Sequence, residues 1–164
     1  DGKEQILRLA KEGEAIGYRA ILTNERYNST AIALEDCNIC IIDRGFFMSQ
    51  VTENKKLMFD ILGRLNNRLK TAEDQTVSMS QKRVRERMAE ALLFLKATYG
   101  FEEDNQTINI KLSREELADY VGTSTESSIR LLSDFGKEGL VELRGKKIAI
   151  LDAAVLTKIS RIED

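Results

Sequence analysis

The tightest constraint on the fold lies in "LSREELADYVGTSTESSIRLLSDFGKEGLV", where Ser113 precedes Glu116 and Thr123 precedes Glu126 by three residues each. A serine or threonine three residues ahead of a glutamate marks a helix start, because each side chain satisfies the other's free backbone N–H. Only Gly122, Thr123 and Ser124 separate the helices so opened, and Ala118 is small where they approach. This spacing predicts a helix-turn-helix. Downstream, "LVELRGKKIAIL" reads as two strands around an Arg144-Gly145-Lys146 turn, a wing, and Asp152 is placed to cap a last helix over "AAVLTKIS".

On the second helix, Ser128, Leu131, Leu132 and Phe135 share a face that would pack on Leu117 and Val121. Thr125, Glu126, Ile129 and Arg130 fall on another face, near the N-terminal end that a recognition helix presents to the major groove. An arginine there can donate to O6 and N7 of guanine, and a glutamate can accept from N4 of cytosine. The competing reading is plainer: Glu126 caps its helix and pairs with Arg130 one turn on, worth a few tenths of a kcal/mol on a surface. Candidates for phosphate contact are Ser113, Arg114 and Ser124 at helix starts, with Arg144, Lys146 and Lys147 in the wing.

Upstream of this motif the periodicity changes twice. Residues 3–43 alternate in short runs, "KEQILRLAKEGEAIG" and "STAIALEDCNICIID", broken by turn residues at Glu12-Gly13, Asn24 to Asn28 and Glu35-Asp36, which predicts strands. Beyond Phe46, residues Met58, Ile61, Leu65, Arg68, Ala72, Gln75 and Met79 follow at spacings of three and four, with Leu62, Leu69 and Thr76 alongside. That is a heptad seam, expected to pair with a second copy of the chain or to lie on the chain's own domain. A further helix is expected from about Val84 to Tyr99, ended by Gly100, then a polar turn and a short strand "INIKL".

Composition removes several function classes. The chain has 164 residues, a net charge of -2 and no histidine, so the commonest general base and metal ligand is missing. Cys37 and Cys40 form a lone CxxC in a strand-like run, which lacks the further ligands of a zinc site and reads as two reduced residues. No nucleotide-loop or nucleophile-elbow motif occurs, no metal and no bound cofactor is expected, and the chain is not read as an enzyme. No stretch is apolar enough to cross a bilayer, so the expected location is the cytoplasm, without membrane contact.

The order of these parts, with "NKKLMFDILGRLNNRLKTAEDQTVSMSQKRVRERMA" leading into "LSREELADYVGTSTESSIRLL", resembles the Crp/Fnr family of bacterial transcription regulators. The resemblance implies an α+β fold in three parts. Residues 1–53 would be the end of an effector-sensing β-roll of the cyclic-nucleotide-binding kind, 54–82 the dimerisation helix and hinge, and 83–164 a winged helix-turn-helix. It further implies a homodimeric, sequence-specific DNA-binding regulator on a near-palindromic site, with double-stranded DNA, RNA polymerase and a small-molecule effector as partners. The other function class is a small-molecule sensor that signals through protein contacts. Glu126 and Arg130 match the family's ExxxR pair and Thr125 a neighbouring variable reader, whereas Ser128 stands where an apolar residue is usual and Ile129 where some members have serine. On the effector side, Gly17 and Ser29 match the family's phosphate cassette. Tyr18 and Asn28 replace its glutamate and arginine, and Ala72 and Glu73 replace the residues that meet adenine, so the effector is expected not to be cyclic AMP. A complete member carries more β-strands ahead of the position of Asp1, and the chain is expected to be a fragment of one or to lack those strands.

Overall fold

A computed structural model describes residues 4–161. In chain order the elements are α1 (Tyr18–Thr23), α2 (Arg44–Glu53), α3 (Lys55–Gln81), α4 (Val84–Tyr99), α5 (Arg114–Val121), α6 (Thr125–Lys137), strands β1 (Val141–Arg144) and β2 (Lys147–Ile150), and α7 (Ala153–Ser160). They fall into two compact units: Ala10–Gln75, and the chain from Thr76 onward together with its first residues up to Leu9.

The second unit is closed around one core. Met88, Ala89, Leu92 and Leu95 recur at helical spacing along α4 and are buried against Leu117 and Val121 of α5, Leu132 and Phe135 of α6, Ile148 and Ile150 of β2, and Leu156 of α7. Each of the larger side chains contributes about 1.5–3 kcal/mol by leaving water, which is why these short elements hold together. The wing is a two-stranded antiparallel ladder with Val141 opposite Ile150 and Arg144 opposite Lys147, turned by Gly145 at φ 64°. Asp152 caps α7 by accepting from Val155 N, and α4 runs over the span that its apolar stripe marks. The strand expected at "INIKL" is reduced to isolated bridges at Thr107 and Ile108, where Ile108 N donates to Ile148 O at 3.0 Å. Ile110 then turns back on Ile108 O, which removes the donor that a longer ladder needs.

In the Ala10–Gln75 unit, helix ends are made by polar residues in sequence. Asp43 caps α2 by accepting from Phe46 N, and Asn54 both ends α2 and caps α3 by accepting from Leu57 N at 3.1 Å. Helix α3 then runs for 27 residues, a length of about 40 Å. The strands expected within residues 3–43 are not formed: among the described residues this stretch holds only α1 and irregular chain. The turn at Gly13 is present, with Glu14 N donating to Lys11 O, but residues 29–43 meet no partner ladder, and Ile32, Ile39 and Ile41 stand exposed. A strand without a neighbour has neither the hydrogen bonds nor the covered face that define it.

Candidate nucleic-acid interface

Helix α5 opens with the reciprocal cap its sequence requires: Ser113 Oγ accepts from Glu116 N at 3.1 Å and Glu116 Oε2 accepts from Ser113 N at 2.6 Å. It ends at Gly122, whose φ of 74° is a conformation that favours glycine and where a Cβ would meet Met79 Cε at 3.3 Å. Gly122 N and Thr123 N both donate to Ala118 O, so Thr123 belongs to the closing turn of α5. The cap of α6 is therefore Ser124 and not Thr123: Ser124 Oγ accepts from Ser127 N at 3.2 Å. That one-residue shift matters, because Glu126 no longer sits where a capping box would tie it back to the chain.

Along α6 the expected faces separate. Ser128, Leu132 and Phe135 are fully buried, while Thr125, Glu126, Ile129 and Arg130 are exposed. Ser128 Oγ has no partner in this apolar setting, so the polar departure at that position is left unsatisfied. The pair that the plainer reading requires does not form. Neither Glu126 nor Arg130 has an ion pair or side-chain hydrogen bond among the described residues, so an acceptor and a fork of donors both face solvent.

The candidate phosphate contacts sort differently. Ser113 and Ser124 spend their hydroxyls on caps. Arg114 reaches from α5 to the wing, where Nη2 donates to Gly145 O at 2.9 Å; its Nη1 is buried without a partner, and burial lowers its pKa. Arg144, although exposed, is engaged within the chain: it pairs with Glu142 at 2.6 Å and Asp104 at 2.7 Å, two carboxylates that raise its pKa, and it also donates to Thr107 Oγ1. Lys147 pairs with Glu102 at 2.6 Å. Arg144 and Lys147 are cross-strand neighbours whose charges answer the acidic loop at 102–104, an encounter not visible from the wing alone. Lys146, exposed at the turn, is the wing cation with no such partner among the described residues.

Sequence reasoning missed Arg87. Its Nε and Nη2 donate to the carbonyls of Val121 and Gly122 at 3.1 Å each, and its Nη1 donates to Lys82 O at 2.9 Å. A cation thus sits on the C-terminal carbonyls of α5 and holds the turn that sets the angle of α6. In sequence it is one arginine among several in "KRVRERMA", with nothing to distinguish it.

In the Ala10–Gln75 unit, the residues matched to an effector pocket do not share one environment. Tyr18 is buried with its hydroxyl unpartnered, whereas Gly17, Asn28, Ser29, Ala72 and Glu73 are exposed. Gly17 has φ 81°, and a Cβ there would lie 3.2 Å from the Tyr27 ring. Arg68 lies 4.9 Å from the centroid of the Tyr18 ring and donates to Ala15 O, so this seam position is used within the chain. Ile61 is buried likewise and Leu65 and Gln75 are half-buried, which leaves Met58, Leu62 and Leu69 as the open apolar column of α3. Among the described residues no group of three or more acidic or cysteine side chains is arranged to hold a metal, and no helix is long and apolar enough to cross a membrane.

Residues 86–159 match the Crp-like helix-turn-helix domain and residues 1–54 match the cyclic nucleotide-binding domain. The two occur in the order that a sensing domain, a connecting helix and a winged helix require. The chain belongs to the Crp/Fnr family. It is 28% identical to the fumarate and nitrate reduction regulatory protein of Vibrio cholerae over 98% of its own length and 64% of that protein's. It is 26% identical to a CRP-like cAMP-activated global transcriptional regulator of Mycobacterium tuberculosis, over 98% of this chain and 72% of the relative. The chain thus spans a little under two thirds of the Vibrio relative. A Crp/Fnr transcriptional regulator from Thermus thermophilus superposes with a TM-score of 0.59 at 27% identity, covering 64% of this chain and 54% of that one. FixK2 of Bradyrhizobium japonicum, at 19% identity, shares the fold with a TM-score of 0.67 over 75% of this chain and 61% of its own.

Proposed function

We propose that this Crp/Fnr chain serves a homodimeric, sequence-specific DNA-binding transcription regulator in the cytoplasm. The observation that carries this reading is the unpaired state of Glu126 and Arg130 on the exposed N-terminal half of α6. Arg130 supplies the fork for guanine and Glu126 the acceptor for cytosine, and Lys146, exposed at the wing turn, supplies a cation for phosphate. Dimerisation would run along the open column Met58, Leu62 and Leu69 of α3, setting two recognition helices about 34 Å apart on a near-palindromic site. The effector is a small molecule other than cyclic AMP, since Asn28 brings no charge for a phosphate and Tyr18 is turned into the core. RNA polymerase is the remaining partner of this reading, and no catalytic step is assigned.

Selection of sites from random DNA by the full-length protein tests it. An inverted repeat should emerge, and Arg130→Ala should lose about 1–3 kcal/mol at one base position while others are kept. An unchanged profile would favour the sensor that works through protein contacts, a reading supported by the internal neutralisation of Arg144 and Lys147.

A further inference from the structure

We infer that Arg85 is a positioning residue: paired with Glu138, it ties the C-terminal end of α6 to the first turn of α4 and so fixes the pose in which α6 is presented, an inference that rests on the DNA-reading function above. Arg85 Nη2 lies 2.6 Å from Glu138 Oε2, and its guanidinium carbon lies over the fully buried Phe135 ring, 4.7 Å from the centroid. One side chain thus holds the end of α6 through both an ion pair and a ring contact. Neither charge suits its own helix. Arg85 stands in the first turn of α4, where the helix dipole is positive, and Glu138 directly follows the last residue of α6, where it is negative. Each suits the other's helix instead, because the start of α4 meets the end of α6. Stability does not account for the pair either, since its side chains are 37% and 45% exposed and such pairs add little. What it adds is direction. Burial of Leu132 and Phe135 selects the face that α6 turns inward, but apolar contacts are non-directional and leave its tilt to polar ones. Arg87, two residues further along α4, holds the turn ahead of α6, and Arg85 holds the far end. Leu140 N then donates to Phe135 O and β1 begins at Val141, so the same contact sits where α6 passes into the wing.

Charge reversal tests this with the full-length protein, its selected site and a random-sequence duplex. Arg85→Glu and Glu138→Arg should each lower the ratio of specific to random affinity about fivefold, the scale of one exposed pair, and the two changes together should recover most of it. For Glu138→Arg the direction is diagnostic: added positive charge by itself raises affinity for any duplex, whereas a loosened α6 lowers the ratio. Arg85→Gln and Glu138→Gln, which remove the pair without setting like charges together, should each lose about twofold. A pair that only stabilises would shift the thermal melts of these variants and leave their ratios at the wild-type value, a result that overturns the inference. Failure of the double reversal to recover the ratio would overturn it too, by showing that the two side chains act separately. Unchanged ratios with Arg130→Ala still relaxing its guanine would sink this inference alone, while failure to select any inverted repeat would sink the DNA-reading function with it.

Discussion

The unit from Thr76 onward and the unit Ala10–Gln75 show opposite relations between pattern and structure. In the first, nearly every apolar position with helical or strand period is buried: Leu92, Leu117, Leu132, Phe135, Ile148 and Leu156 meet one another. In the second, alternating residues of equal hydrophobicity are left in solvent, with Ile41 at 90% and Ile32 at 70% exposure. The difference teaches that a hydrophobic period states which face must be covered, while the covering depends on partners supplied elsewhere. The fully buried core of the helix-turn-helix and wing lies within about 80 residues, in keeping with the size at which a small domain closes its own core. The segment 29–43 meets no such partners among the described residues.

Core substitutions should break this contrast most. Phe135→Ala, at a fully buried site whose ring faces the guanidinium of Arg85 at 4.7 Å, should cost about 3–5 kcal/mol in chemical denaturation, whereas Ile41→Ser should change stability by less than about 0.5 kcal/mol. Equal effects would mean that the exposed segment is as well packed as the core. A finer probe is the start of α6. Ser124→Ala should cost about 1 kcal/mol and Thr123→Ala much less, because Ser124 holds the cap; the reverse order by urea titration would restore the capping box expected at Thr123.

The smallest effect concerns the acidic loop. Hydrogen bonds from Thr107 Oγ1, Thr107 N and Gln106 N, with a further one from Arg144, hold the Asp104 carboxyl well below the usual carboxylate range. A depressed folded-state pKa means that its contribution is complete above the unfolded value of about 3.9 and is lost as pH falls toward the folded one. Asp104→Asn should therefore lower the second unit's stability slightly at neutral pH, where the contribution is complete, and flatten its acid limb below about pH 4, where wild type loses that contribution too. The check is a pH series of thermal melts. An unaltered acid limb would show that the loop does not anchor the wing through this carboxylate.

What could be read from sequence was local. Ser113 and Glu116 lie within one turn, Asp152 sits before its helix, and the apolar stripe of α4 spans the residues that the helix occupies. The separation of Ser128, Leu132 and Phe135 from Thr125, Glu126, Ile129 and Arg130 follows from helical geometry alone. What could not be read was pairwise and distant. Arg144 looked free for phosphate until the loop at Asp104 met it from 40 residues away, and Arg87 looked ordinary until α5 ended beneath it. Arg68, placed in a dimer seam by its heptad position, is turned toward Tyr18 by a segment some 50 residues upstream.

The sequence by itself determined where α4, α5 and α7 begin, which residues of α6 lie on one face, and that a glycine must close α5, because caps, periodicity and positive φ act over a few neighbouring residues. Only the tertiary structure decided which of those exposed charges are free to act. Whether an arginine is a ligand for something else or a partner for its own chain depends on which carboxylates and carbonyls the fold brings within about 3 Å of it, and hydrogen bonds and ion pairs of that range carry no trace in the local pattern. Glu126 and Arg130 remain available because the fold leaves them without partners, while Arg144 and Lys147 are claimed by it.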